Sequence, residues 1–259
     1  MEYRKIIFSV KDHIAWIRFN RPKKLNAMNA EVISELEMAV TECGENEDVR
    51  AVILTGSEKA FMAGADIEPI ADADVRSSLQ LGELTTRMQE RLADLPKPTI
   101  AAISGFALGG GLEVALCCDF RLAAENAVLG LPEITLGIIA GGGGTQRLPR
   151  LIGLGPATEL LLLGTTIKAP KALSIGLVTE VVPVDQLESR AEDLAVRLAA
   201  IPGVAMQACK TAMRAGLNCG LKEGLRIEGM AFSVLFGTLD QKEGMKAFLE
   251  KRKPKFQGK

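Results

Sequence analysis

Residues 99–123, TIAAISGFALGGGLEVALCCDFRLA, decide how this chain is read. Thr99–Ile103 is a short, unbroken apolar run without alternation, the pattern of a strand buried on both faces. Three glycines follow, then Leu112–Cys118 reads as an apolar helix, and Phe120–Ala123 returns to strand. A strand, a helix and a second strand in immediate succession form the crossover unit of a parallel sheet.

The same alternation extends towards the N-terminus. Ala51-Val52-Ile53-Leu54 is another short buried strand, ending at Gly56, and a polar helix over about 73–94 is stopped by Pro96 and Pro98. Asn29 is positioned to cap a helix whose Val32, Ile33, Leu36, Val40 and Cys43 share one face. Residues 3–9 and 13–19 alternate apolar and polar around Val10-Lys11-Asp12, which predicts a hairpin. From about Gln186 the pattern changes, and 185–200, 203–215, 221–236 and 238–251 all read as helix with no strand between them. The fold class is therefore α/β with a helical C-terminal subdomain. Met206, Met213, Met230 and Met245 in that subdomain are expected to serve core or subunit packing. The basic end, KRKPKFQGK, is expected to be a solvated tail.

Composition narrows the function. With 259 residues, 47% of them hydrophobic, and a net charge of −1, the chain can bury a substantial core and is not a disordered protein. Thirty-one Lys and Arg against 32 Asp and Glu give no basic excess, so no nucleic-acid partner is expected. The cysteines at 43, 117, 118, 209 and 219 include no C-x-x-C pair and suit a reducing, cytoplasmic setting. One histidine, His13, excludes a multi-histidine metal site, and no metal is expected. MEYRKIIFSV lacks the layout of a signal peptide. The most apolar stretch, roughly Pro98 to Cys118, is interrupted by Ser104, four glycines and Glu113, so no membrane span is expected.

Chemistry concentrates in the middle third, where Gly105, Gly109–Gly111 and Gly141–Gly144 cluster. Neither group spells a dinucleotide or P-loop fingerprint. Three glycines directly before a helix expose main-chain N–H groups at its positive end, a site for an anion or a developing oxyanion; the plainer reading is a tight turn. Glu113 falls in the first turn of that helix, where a glutamate commonly just complements the dipole. Its neighbours Leu112, Val114 and Ala115 are apolar, and Glu133 sits in a similar run, Leu131-Pro132-Glu133-Ile134. Carboxyls in apolar surroundings have raised pKa values and suit proton transfer, so the two glutamates and the glycine-rich helix start form a candidate acid–base site. In Ala63-Gly64-Ala65-Asp66-Ile67 small residues permit close approach to a ligand, while Asp66 alone fits a turn or cap. His13 has no visible partners for a catalytic triad, and Cys117-Cys118 read as buried helix residues rather than nucleophiles.

These segments, taken in order, resemble the enoyl-CoA hydratase/isomerase (crotonase) family along nearly the whole chain. The carrying stretches are Asn20-Arg21-Pro22 through Leu25-Asn26-Ala27, Phe61 through Ile67, Gly105 through Glu113, Pro132-Glu133, and Gly143 through Arg150. The resemblance implies a spiral of β-β-α units followed by helices that build trimers, commonly paired as hexamers. It divides the chain into a core with the acyl-CoA site over 1–195 and an oligomerisation subdomain over 196–259. It also implies that the N–H groups of Ala65 and Gly110 hold the thioester oxygen of an acyl-CoA, and that Glu113 and Glu133 are the two hydratase carboxylates. Lys24, Leu25, Ala27, Ala63, Asp66 and Ile67 would contact the coenzyme A portion, which is part of the substrate, so no separate cofactor is implied.

The reaction implied is reversible addition of water to a 2-enoyl-CoA, with Glu113 activating water at C3 and Glu133 exchanging the proton at C2. A 3,2-enoyl-CoA isomerase is the alternative within the family and needs one carboxylate only. A non-catalytic RNA-binding or scaffold member is the alternative from another class. Ala140 stands where many relatives carry proline, and Leu112 and Leu131 flank the glutamates where relatives vary.

Overall fold

The computed structural model describes residues 3–259, so Met1 and Glu2 of the expected hairpin-bearing core lie outside it. The hairpin comprises β1 (Ile6–Lys11) and β2 (Ile14–Phe19), paired antiparallel. Its turn is Asp12-His13, both at positive φ (50° and 66°), rather than the expected Val10-Lys11-Asp12. Two successive positive φ values match the twist of the flanking strands, so Val10 and Lys11 stay in the ladder opposite Ala15 and Ile14. Helix α1 (Ala30–Glu45) follows, with the Asn29 side chain accepting the Val32 N–H and the predicted apolar face buried.

Three passes of the chain then repeat one plan. The first is β3 (Ala51–Thr55), β4 (Ala60–Met62) and α2 (Val75–Ala93). The second is β5 (Thr99–Ile103), β6 (Phe106–Leu108) and α3 (Gly110–Cys117), and the third is β7 (Phe120–Ala124), β8 (Val128–Gly130) and a 3-10 turn, Pro132–Leu136. The first strand of each pass joins one parallel array, β3-β5-β7, and the second strand joins another, β4-β6-β8. The first two passes are thus β-β-α turns of a spiral, and the third closes on the 3-10 turn instead of an α-helix. The chain continues through α4 (Gly144–Ile152), α5 (Leu154–Leu162), β9 (Thr166–Lys168), α6 (Ala169–Ser174) and β10 (Glu180–Val182). With these the sheets are complete: six strands in the order β1-β2-β3-β5-β7-β10, and four in the order β4-β6-β8-β9.

The larger sheet explains the unbroken apolar runs. Val52, Leu54, Ala101 and Ile103 face the main core, shared with α1 and α3. Their neighbours Ala51, Ile53, Ile100 and Ala102 face a second core under α7 (Leu187–Ala199), whose Leu187, Ala191, Ala195 and Leu198 are buried. Both faces of these strands are covered, so period-two alternation is lost. Helix α7 runs across residues 195 and 196, where the two parts of the chain are expected to meet.

Helices α8 (Gly203–Gly216), α9 (Leu221–Leu235) and α10 (Leu239–Leu249) complete the C-terminal region. Lys210 anchors α8 to the core: its ammonium donates to the Leu95 and Lys97 carbonyls at 2.8 Å each and to Asp119 at 2.6 Å. Met206 packs against the second core, whereas Met213, Met230 and Met245 are exposed. The C-terminal tail is not simply solvated. The Gln257 and Gly258 N–H groups donate to the Asp240 carboxylate at 2.6 and 2.8 Å, because a buried aspartate at the start of α10 needs donors, and Arg252 separately pairs with Glu243. Among the described residues no helix is long and apolar enough to cross a membrane.

Candidate active site

The start of α3 is built by close approach. Gly109 caps it at φ +49°, and a Cβ there would lie 2.7 Å from Glu133 Oε1. A Cβ on Gly111 would lie 2.0 Å from the Met62 carbonyl oxygen, so only glycine lets this turn rest on β4. Gly110 is the first helical residue, and its N–H has no partner within the helix. Opposite it, Met28 N–H donates to Gly64 O at 2.8 Å and Asp66 N–H donates to Met28 O at 2.7 Å. This is a parallel bridge pairing Met28 with Ala65, in which Ala65's own N–H points away from Met28. Among the described residues neither the Ala65 nor the Gly110 N–H donates to a main-chain acceptor outside regular elements. A Cβ on Gly110 would be 4.0 Å from Ala65 N, so the two donors are close neighbours.

Both glutamates reach this place. Glu113 is buried, and its Oε1 accepts the Gly142 and Gly144 N–H groups at 2.7 and 2.8 Å. Burial raises its pKa; the two main-chain bonds and the Arg147 charge oppose that without cancelling it. Glu133 stands on the 3-10 turn with Oε2 buried and without a hydrogen-bond partner. Burial, with a further contribution from the Glu113 charge, pushes its pKa up to about 7. Two carboxyls of raised pKa beside two unoccupied main-chain donors can polarise a carbonyl and move protons next to it.

The remaining candidates gather on a neighbouring wall. Leu25 lies at φ 48° and Asn26 at φ 58°, an unusual pair for residues with side chains. Buried Asn26 holds them there: its amide donates to the Ala60 and Phe61 carbonyls, and its oxygen accepts the Arg21 N–H. Ala63 N–H donates to Leu25 O at 3.0 Å. Arg21 binds the Ala27 carbonyl and pairs with Asp66 at 2.8 Å, a bond that holds the Asp66 carboxyl below its usual range. Lys24 pairs with Glu68 at 2.7 Å, and Ile67 is exposed beside them. Lys24, Leu25, Ala27, Ala63, Asp66 and Ile67 therefore form one patch, and Asp66 is an ion-pair partner rather than a free cap.

Sequence reasoning missed several contributors. The 141–144 glycines stood out without a role, yet two of them bind Glu113. Arg21 and Asn26, quoted only as family markers, hold the patch together. Gln89, which approaches Glu113 from α2, gave no local signal, and Arg147 on α4 stood only within the family-marking stretch Gly143 through Arg150. Ala140 is buried, and a Cβ on Gly144 would lie 2.9 Å from its methyl group. His13 is remote, with Nδ1 2.9 Å from the Asp48 carbonyl. Cys117 and Cys118 are buried thiols with raised pKa values, Cys117 pushed up to about 12, which removes them as nucleophiles. Among the described residues no three His, Cys, Asp or Glu side chains group as a metal site requires.

Comparison with known proteins identifies the family. The family model described as enoyl-CoA hydratase/isomerase matches residues 9–259. The short-chain enoyl-CoA hydratase of Clostridium acetobutylicum is 43% identical over 254 residues, covering 98% of this chain and 97% of that protein. The crotonyl-CoA hydratase of Syntrophomonas wolfei is 43% identical over 257 residues, covering 99% of each. The crystal structure of an enoyl-CoA hydratase from Bacillus anthracis superposes with a TM-score of 0.95 at 42% identity, covering 99% of this chain and all of that one. The spiral, the helical C-terminal region and these matches lead to one statement: the chain belongs to the enoyl-CoA hydratase/isomerase family.

Proposed function

We propose that this protein is an enoyl-CoA hydratase, adding water reversibly to a 2-enoyl-CoA to give a 3-hydroxyacyl-CoA. The observation that carries the reading is the pair of raised-pKa carboxyls, Glu113 and Glu133, beside the free N–H groups of Gly110 and Ala65. In this reading the two N–H groups bind the thioester oxygen and stabilise the enolate-like state formed when C3 is attacked. Glu113, held by the glycine loop, in its carboxylate form takes a proton from water as the water oxygen attacks C3. The acid form of Glu133, which gives way to the carboxylate as pH rises through about 7, delivers its proton to C2. The patch over Lys24, Leu25, Ala27, Ala63, Asp66 and Ile67 receives the coenzyme A portion, and no other cofactor takes part. Relatives named short-chain enoyl-CoA and crotonyl-CoA hydratase support short acyl chains.

A homotrimer, or a dimer of trimers, completes the proposal. Its support is the apolar surface of the last helices, where Leu221 is 80% and Phe248 81% exposed. Five free cysteines, three of them buried, fit a reducing cytoplasmic setting.

The test follows loss of the conjugated enoyl-thioester absorbance over a chain-length series, beside deuterium incorporation at C2. Glu113→Gln should lower hydration by roughly 100-fold or more while retaining part of the C2 exchange, since the amide cannot accept water's proton. Glu133→Gln should abolish both. Full hydration by Glu113→Gln, or wild-type isomerisation of a 3-enoyl-CoA faster than hydration of any 2-enoyl-CoA, overturns the reading.

A further inference from the structure

Gln89, on α2, is 1% exposed, and its Nε2 is buried without a hydrogen-bond partner. A buried amide donor left unpaired is costly, and a nearby carboxylate is the acceptor that would relieve it. The orientation of this amide is not arbitrary. Arg147 Nη1, on α4, sits 3.2 Å from Gln89 Oε1 and also donates to Gly142 O at 3.0 Å. A guanidinium only donates, so the carbonyl end of Gln89 must face Arg147 and the N–H₂ end must face the other way.

What lies that way is Glu113. A Cβ added at Gly142 would meet Gln89 Nε2 at 2.5 Å and Glu113 Oε2 at 2.6 Å, so the two atoms border the same small space. Oε1 of Glu113 is committed to the Gly142 and Gly144 N–H groups; among the described residues Oε2 accepts from no donor. An unpaired donor and an unpaired acceptor thus flank one gap that only a glycine leaves open. Hydrogen bonds of a catalytic group are commonly long before substrate binds and tighten in the working complex.

We propose that Gln89 is a positioning residue for Glu113: Arg147 clamps its carbonyl so that its amide donates to Glu113 Oε2 and keeps that carboxylate aimed and ionised. The proposal rests on the assignment of Glu113 as the base made above. It gives the carboxylate three donors, two from the glycine loop and one from α2, and it ties α2 and α4 to the chemistry. The other titratable groups facing Glu113 are Glu133 from the 3-10 turn, Arg147 from α4 and the Cys117 thiol on its own helix; α2 presents only the neutral Gln89.

The test uses the full chain with Gln89→Met, which keeps the volume and removes the amide, and Gln89→Glu, which still accepts from Arg147 but turns an acceptor towards Oε2. Gln89→Met should lower kcat for hydration about tenfold with KM changed less than about twofold, as for a misplaced catalytic group. Loss of a donor to the carboxylate should move the acid limb of the pH–rate profile up by roughly half to one pH unit. Gln89→Glu should move it further in the same direction, because a second carboxylate then faces the first. The carboxyl ¹³C resonance of Glu113, assigned by its loss in Glu113→Gln, should titrate at correspondingly higher pH in both variants. That readout does not depend on turnover, so it judges the role of Gln89 even if the wild type hydrates nothing, an outcome that would sink the functional reading instead. If either folded variant, checked by circular dichroism, keeps the wild-type acid limb and the wild-type Glu113 titration, Gln89 does not position Glu113. Should Gln89→Met not fold, Gln89→Leu, which likewise removes the amide donor, takes its place with the same expected shift.

Discussion

Glu133 has its Oε2 buried and unsatisfied, and a pKa of about 7. Its linkage to stability has a definite sign. The folded state holds this proton to higher pH than the unfolded chain does, so stability falls as pH rises from the ordinary glutamate range through about 7. Glu133→Gln should therefore be more stable than wild type at pH 8, on the order of 2 kcal/mol, and nearly equal to it at pH 4. Urea titrations at the two pH values would check this; an equal difference at both would show that Glu133 is not the group responsible. The same proton bears on catalysis. If Glu133 delivers it to C2, kcat/KM for hydration should decline as pH rises through about 7.

Helix α3 carries the site at the scale of elements, with the glycine loop before α4 behind it. Gly110→Pro tests the helix start, because proline is suited to the first helical position and deletes one N–H there. A loss of roughly 100-fold in turnover is expected with the helical signal retained; turnover at the wild-type level would remove Gly110 from the thioester site. Lys210→Met tests the attachment of α8: it leaves Asp119 without its ammonium partner, retaining Arg214 at 3.2 Å. Thermal unfolding should register a loss of about 3 kcal/mol, the scale for breaking a largely buried pair. Elements also show what a sequence can and cannot disclose. Helix α1 was legible because a capping asparagine and a five-residue face repeat locally. The four-stranded sheet was not, since β4, β6, β8 and β9 are three residues each, too short for alternation to register. Glu113 and Glu133 were visible as glutamates in apolar runs, and the family resemblance supplied their roles. Gln89 was silent, and Arg147 had no role beyond its family-marking stretch, because only the spiral brings α2 and α4 against α3, and a side-chain amide in an ordinary polar helix looks like surface.

As a whole molecule, the spiral gives three passes of chain a common plan and leaves the last helices with more apolar surface than one chain covers. Met213, Phe232, Phe248 and Leu249 are all more than half exposed. Sedimentation equilibrium at micromolar concentration should return three or six times the mass of 27.7 kDa; a single-chain mass would refute the assembly. The construction of the site also has a consequence for descent. The groups proposed to grip the thioester, at Ala65 and Gly110, belong to the main chain, which nearly every substitution leaves in place. The groups proposed to move protons are two side chains, each one codon away from loss. On that proposal, substitution of either glutamate would change the reaction and leave the hold on an acyl thioester in place, so a new activity could arise without a new binding site having to be invented.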